Sequence, residues 1–387
     1  MSVQDDLDPS IVGLEFIKEG SDWLAIFNPK VPRQMDVSLT KKFTHEKVVC
    51  SVRLSADAKL LAVGSDGLVL LYDLATDTKF TFPFEDVQST TRNYVRAVAL
   101  CPNGKYLISG SEDKLIRVWN LEHALQAHTL HGHRGEIYAL EFSTDGSTLL
   151  SASGDRTVRL WDVTCLDADN TDVIMSTSRV LTVDESAKSD VAFTSVSISH
   201  NSRYVAAGSL DGVIRVWDLT AIPEDSTELE GAKLVDRLSG HMRSVYSVKF
   251  VHGLSAREKG EALVSGSLDK TVKRWDVGPF DDHDGVRGAS PGLEGHGEKG
   301  SKCVKTFQGH KDYVLATAIV REGQNFRAAS ASRDGSVRMW DLRTGTAQFL
   351  IQGHKNTVTS VDLSRDGSQL VSGSGDREVR IWTYTIR

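Results

Sequence analysis

An Asp followed six residues later by an aromatic side chain recurs seven times along this chain: Asp66 to Tyr72, Asp113 to Trp119, Asp155 to Trp161, Asp211 to Trp217, Asp269 to Trp275, Asp334 to Trp340 and Asp376 to Trp382. One offset repeated at that density means that a small unit has been copied along the sequence, and such units fold as an array in which each buries its apolar face against the next. The last copy, Gly353 to Tyr384, displays the unit. Val361 and Leu363 alternate with Ser360 and Asp362, Leu370 and Ser372 follow the turn Arg365-Asp366-Gly367, and Val379 to Trp382 form a third run. Period-two patterning bounded by Asp, Gly and Ser predicts antiparallel strands, and each run is too short for a helix.

A Gly-His pair opens four copies, at Gly132-His133, Gly240-His241, Gly309-His310 and Gly353-His354. His45 holds that place in the first copy, after Thr44, while Thr91 and Ser189 hold it in the second and fourth. These features resemble the WD40 repeat, whose units run to about 40–45 residues. The resemblance implies an all-β, seven-bladed β-propeller of four-stranded blades around a central channel. It further implies a hydrogen-bonded tetrad per complete blade: the His, a Ser four residues before the Asp, the Asp itself and the third-strand Trp. The complete sets are His133, Ser151, Asp155, Trp161; His241, Ser265, Asp269, Trp275; His310, Ser330, Asp334, Trp340; and His354, Ser372, Asp376, Trp382. Copy two keeps Ser109, whereas copies one and four carry Ala62 and Ala207, so weaker networks are expected there. His, Ser and Asp together also suggest a hydrolase triad, but a triad is one exposed nucleophile beside one oxyanion hole. Four copies of one set read instead as structural, satisfying buried polar groups where turns meet strands.

With 387 residues, 40% of them hydrophobic, the chain can bury a large core, and the repeat makes residues 21–387 one propeller rather than two or three domains. Residues 1–20, with Asp5, Asp6 and Asp8 early on, are expected to be disordered or the edge of a cut domain. Two strand candidates precede the first repeat, Asp22 to Pro29 and Met35 to Leu39. Because only three residues follow Tyr384, the last copy lacks its own fourth strand; Met35–Leu39 is expected to supply it and close the ring. Trp23, the only Trp outside the repeat positions, is expected to pack under this closure. Cys50, Cys101, Cys165 and Cys303 show no paired spacing, and with neither signal peptide nor bilayer-length apolar run the sequence points to a reducing intracellular compartment, without disulfides or zinc. The net charge of −7 argues against direct nucleic-acid binding and suits a basic partner.

The connectors Thr164–Asp190 and Thr220–Lys233 are polar and partly acidic, and Gly278–Lys302, rich in Gly with Pro279 and Pro291, reads as a mobile loop. Gly297 to Ser301 bears only a loose likeness to a phosphate-binding loop, without its Gly-Lys-Ser/Thr order or a following helix. His123, His128, His131 and His133 cluster in sequence, but the tetrad claims His133 and no Cys or carboxylate completes a metal set. No cofactor is called for.

Function therefore falls to surface side chains. In a propeller the Asp turn and the start of the first strand face one rim of the channel. The residues just before each Asp are Ser65, Glu112, Gly154, Leu210, Leu268, Arg333 and Gly375. Three after the His position stand Val48, Tyr94, Glu136, Ala192, Ser244, Tyr313 and Thr357; five after it, Cys50, Arg96, Tyr138, Thr194, Tyr246, Leu315 and Thr359. Tyr94, Tyr138, Tyr246 and Tyr313 with Leu210, Leu268 and Leu315 make a protein-binding patch, which Cys50, Arg96, Glu112, Arg333 and Thr357 extend.

The prelude DWLAIFNPKVPRQMDVSL, followed by THEKVVCSVRLS, YVRAVALCPNGKYLISGSEDKLIRVWN, YVAAGSLDGVIRVWDL and GHMRSVYSVKF, is more specific than the generic repeat. From about Trp23 onward the chain resembles the carboxy-terminal propeller of the fungal Tup-type general transcriptional corepressors, relatives in function of the Groucho class. That resemblance implies a nuclear, noncatalytic scaffold that binds no DNA itself, is recruited by DNA-bound repressors and engages histone tails. It maps the repressor-contacting face onto Cys50, Tyr94, Glu112, Leu210 and Tyr246; Tyr313 and Leu315 are added from geometry. Family members carry a helical amino-terminal region that forms a tetramer and binds a tetratricopeptide-repeat partner, and nothing like it precedes Met1, so an excised, monomeric domain is expected. A substrate receptor of a ubiquitin ligase is the alternative; it would need an Arg-rich upper face, where only Arg96 and Arg333 stand out, and an adaptor motif that is not visible. An enzyme would need a nucleophile, metal ligands or perturbed carboxylates in the channel, for which the sequence gives no candidates.

Overall fold

Short apolar runs separated by Asp- and Gly-containing turns leave each copy no option but a small antiparallel sheet, and an isolated sheet of that size cannot bury its own faces. Seven such sheets pack side by side in the computed structural model, which describes residues 7–84, 93–164, 166, 178–183, 191–220, 232–255, 260–278 and 300–386. The innermost strands are Ser51–Leu54, Val95–Leu100, Ile137–Phe142, Phe193–Ile198, Val245–Val251, Val314–Glu322 and Val358–Leu363. Each touches the next and the last touches the first, so the molecule is a closed seven-bladed β-propeller.

Blades are sandwiched between neighbours, which explains why the second strands, such as Tyr106–Ser111 and Tyr204–Ser209, are buried along their whole length. The glycine that both strands carry before their last Ser is dictated by that packing. A Cβ on Gly110 would lie 2.5 Å from Ile137, and one on Gly266 2.8 Å from Val314, each the leading residue of the next blade's inner strand. Hydroxyls then stitch blade to blade: Ser195 Oγ accepts from Val248 N at 2.7 Å, Ser247 Oγ from Thr317 N at 3.0 Å and Ser360 Oγ from Val52 N at 3.1 Å.

Closure follows the expected route. Strand β3 (Met35–Thr44), which follows β1 (Ile17–Glu19) and β2 (Leu24–Phe27), pairs antiparallel with Glu378–Ile386, Leu39 opposite Trp382. It runs to Thr44, beyond the Leu39 expected from the sequence. Trp23 meets Trp382 edge-on with ring centroids 5.5 Å apart.

Two expectations are corrected. Blade six has six strands rather than four, because the β1–β2 hairpin adds to its outer strand Ala347–Gln352. Disorder over residues 1–20 does not hold from Leu7 onward: Leu7 is wholly buried against Ile26 and Leu350, and β1 is paired. Leu7 and Val12 stand among polar residues with no local periodicity, so their order comes from an apolar patch supplied by the hairpin and blade six. Asp22 completes the anchorage, its Oδ2 accepting from Arg380 Nη2 and Lys42 Nζ, both at 2.9 Å, which ties the segment to blade seven as well. Residues 1–6, Thr91, Cys165, Ser189 and most of the three long connectors lie outside the described residues. Cys50 and Cys303 are free thiols, and Cys101 is buried.

Candidate partner-binding face

The tetrad geometry is the same in blades three, five, six and seven. In blade six the Trp340 indole N–H donates to Ser330 Oγ at 2.8 Å, that hydroxyl lies 2.7 Å from His310 Nε2, and His310 Nδ1 lies 2.9 Å from Asp334 Oδ2. With a neutral imidazole the chain of donors closes when the Ser hydroxyl donates to Nε2 and an Nδ1–H donates to the carboxylate. The corresponding His-to-Asp distances are 2.8 Å for His133 and Asp155, 2.7 Å for His241 and Asp269 and 2.9 Å for His354 and Asp376. Burial pushes these four carboxyls up, but the hydrogen bonds from His and backbone N–H groups, joined by a neighbouring hydroxyl at Asp155, Asp269 and Asp334, win and hold all of them well below the usual range. Ser151, Ser265, Ser330 and Ser372 are all wholly buried and already bonded to Trp, so none of them can meet a substrate.

The remaining blades satisfy the same positions by other means. In blades two and four an Arg four residues after the Asp turns inward: Arg117 Nη2 pairs with Asp113 at 2.7 Å, and Arg215 Nη2 with Asp211 at 2.6 Å. In blade one Tyr72 takes the place of both Trp and Ser, its hydroxyl 3.0 Å from His45 Nε2. The weaker networks expected at Ala62 and Ala207 are thus replaced by different partners rather than left unfilled.

Above this layer the candidate residues divide into two tiers. All seven residues five after the His position, Cys50, Arg96, Tyr138, Thr194, Tyr246, Leu315 and Thr359, line one cavity of about 100 Å³ at the channel mouth. Alternation along each inner strand points that residue into the channel. The other tier forms the rim. The N–H of Glu112 donates to the Tyr94 carbonyl, Leu210 to Ala192, Leu268 to Ser244, Arg333 to Tyr313 and Gly375 to Thr357, at 2.8–3.2 Å, so the residue before the Asp is fastened to the residue three after the His. Tyr94, Glu112, Leu210, Leu268, Tyr313 and Thr357 are half-buried there, and Arg333 is exposed. Burial pushes the Cys50 thiol up to about 11, so it is protonated at neutral pH, and also raises the Tyr138 hydroxyl.

Seven matches to the WD domain, G-beta repeat, cover residues 37–73, 85–120, 125–162, 178–218, 232–276, 301–341 and 345–383. The chain belongs to the WD40-repeat family. Along 98% of its length this WD40 protein is 41% identical to the transcriptional repressor rco-1 of Neurospora crassa and 31% identical to the general transcriptional corepressor TUP1 of Saccharomyces cerevisiae. It spans 57% of the length of each. A shorter match, 35% over 31% of the chain, is to the general transcriptional corepressor tupA of Dictyostelium discoideum. The Tup-type likeness read from the amino-terminal prelude is therefore matched over nearly the whole WD40 chain.

Sequence reasoning passed over several residues of this face. Met242 is 90% exposed, and Arg243 beside it reaches the Tyr313 hydroxyl at 3.3 Å. Both follow His241 directly, so the positional rule that selected Ser244 would have reached them. Deeper in the WD40 channel, eight residues after the His position, Lys249 of blade five pairs with Glu141 of blade three, and Arg53 lies 3.4 Å from Asp362. Burial pulls the Lys249 ammonium down from its ordinary value, and Glu141 opposes that. These pairs floor the cavity. Among the described residues His354, Asp376 and Glu378 form the one set with metal-ligand spacing, but His354 Nδ1 is engaged by Asp376 and Glu378 Oε2 takes Arg380 at 2.8 Å.

Proposed function

We propose that this WD40 propeller is the scaffold domain of a transcriptional corepressor that works in the nucleus, captures DNA-bound repressors on its upper face and performs no catalysis. The observation that carries this reading is the match of 98% of the chain to proteins named as transcriptional repressor and corepressor. Of the residues that the Tup-type resemblance assigns to the face, Cys50 and Tyr246 line the cavity at the mouth, and the Glu112 and Leu210 N–H groups are bonded to the carbonyls of the adjoining rim residues Tyr94 and Ala192. A cavity of about 100 Å³ admits a single side chain rather than a folded element, so a short repressor segment would lie across the rim with one residue dipping between Tyr138, Tyr246 and Leu315. Modest affinity for such a segment gains from several copies in one assembly. The longer relatives leave room for a region, outside this chain, that forms a tetramer and binds a tetratricopeptide-repeat partner. Basic histone tails are the second partner class, suited to a chain of net charge −7.

The test is a pull-down of the chain, wild type beside Tyr246→Ala and Leu210→Ala, from nuclear extract and with histone-tail peptides, circular dichroism showing that all three fold. Loss of DNA-binding repressors from both variants is the expected result. Unchanged capture would remove the face assignment, and ubiquitin-ligase subunits in the wild-type lane would replace the function.

A further inference from the structure

We propose that the upper rim of blades five and six is a second-tier dock for a short segment of a partner protein in which carboxylates flank an apolar side chain. The inference rests on reading the upper face as the partner face and specifies what one arc of it selects. Three observations converge. Arg243 and Arg333 both approach the Tyr313 ring, their guanidinium carbons 5.9 and 5.3 Å from its centroid, and both are exposed. Attraction to the ring face restrains two planar forks that suit bidentate carboxylates. Lys270 and Lys311 lie on the same arc, the Lys270 ammonium donating to the Lys311 carbonyl at 2.9 Å. Alongside the cations, Met242 stands 90% exposed, with its own N–H fixed to Asp269 at 3.0 Å. A large apolar side chain held out by an anchored turn is a surface waiting for cover.

The arc already accepts carboxylates loosely. Asp312 Oδ2 lies 3.7 Å from Arg333 Nε, and Asp8 Oδ2 lies 3.8 Å from the Lys311 ammonium. Both distances exceed a hydrogen bond, so an incoming carboxylate can displace them. Arg96 across the mouth differs: its Nε holds Glu112 at 2.9 Å, and that arc is neutralised from within. Because Asp269 and Asp334 sit beneath the four cations, long-range attraction is small. Recognition by contact, with Met242 as the apolar half, follows from that balance. Cations spread along a rim also suit an extended acidic segment better than one phosphate, which needs convergent donors.

The test is fluorescence anisotropy of the purified chain with a fluorescein-labelled decapeptide carrying two leucines between Asp-Glu pairs. Saturable binding is expected, about tenfold weaker for Arg243→Gln and for Met242→Ser, and about tenfold weaker when the peptide's acids become amides or its leucines become serines. Circular dichroism and an unchanged melting temperature establish that the variants are folded. No saturable binding, equal binding by the variants, or equal binding of the leucine-free peptide overturns the proposal. So does a phosphoserine-for-glutamate peptide binding ten or more times tighter, which would reassign the arc to phosphorylated segments. A chain that captures repressors but ignores the peptide loses this inference alone, and one that binds the peptide but captures no repressor loses the corepressor reading alone.

Discussion

Arg333 and Asp334 are neighbours in one turn and belong to different layers of the molecule. The Arg333 side chain is 56% exposed over Tyr313, while that of Asp334 is 11% exposed and accepts from His310 and the Lys311 N–H. Leu268 and Asp269, and Leu210 and Asp211, divide less sharply in blades five and four, both leucines being half-buried above carboxylates whose side chains are 6% and 10% exposed. The lower layer favours exchanges that give its buried carboxylate or imidazole a new partner, as Arg117, Arg215 and Tyr72 do in place of missing tetrad members, even though Arg215 Nε itself stays unpaired. The upper layer has no such constraint, so its side chains vary from blade to blade and can carry recognition.

Acid should produce the largest separation of the layers. Asp155, Asp269, Asp334 and Asp376 have folded-state pKa values below the unfolded value of about 3.9, so their contribution is complete above about pH 4 and is lost as pH falls through the folded values. Melting temperatures followed by circular dichroism should fall steeply below pH 4, and less steeply in Asp334→Asn; a flat profile down to pH 2 would mean the carboxylates are not so held. Asp334→Ala should cost about 3 kcal/mol in urea titration, by stranding the donors of His310 and Lys311. Arg215→Leu should cost about as much by leaving Asp211 without its cation. If the Arg variant is silent, blade four does not need the substitute network. Tyr72→Phe should cost about 1 kcal/mol, one hydrogen bond to His45. At the small end, Leu210→Ala and Arg333→Gln should stay within about 0.5 kcal/mol of wild type. A collapse in either would place it in the lower layer.

Repetition made much of this legible. The six-residue offset set the number of copies, the WD40 resemblance it supports implied the blades and the tetrad members, and counting along each copy then gave the residues of the upper face, because in a closed ring each repeat position occupies the same place in every blade. Met35–Leu39 was readable as the closing strand because the last copy ran out of chain. What escaped were the features that no repeat position encodes. The β1–β2 hairpin on blade six and the burial of Leu7 depend on apolar residues that become a patch only once blade six exists. Arg117 and Arg215 occupy a position that is Arg or Lys in most copies; only the absence of His nearby turns them inward onto Asp.

By itself the sequence determined the seven blades, the ring closure and which side chains face the channel mouth, since strand alternation and turn spacing are local properties repeated seven times. The tertiary structure alone decided which charges are spent and which are free. Arg96 is spent on Glu112, and Arg53 and Lys249 are spent on Asp362 and Glu141, whereas Arg243 and Arg333 lie against Tyr313 and, among the described residues, Arg333 has Asp312 no closer than 3.7 Å. Pairing depends on distances between blades that are far apart in the chain, and those distances exist only after the ring has closed.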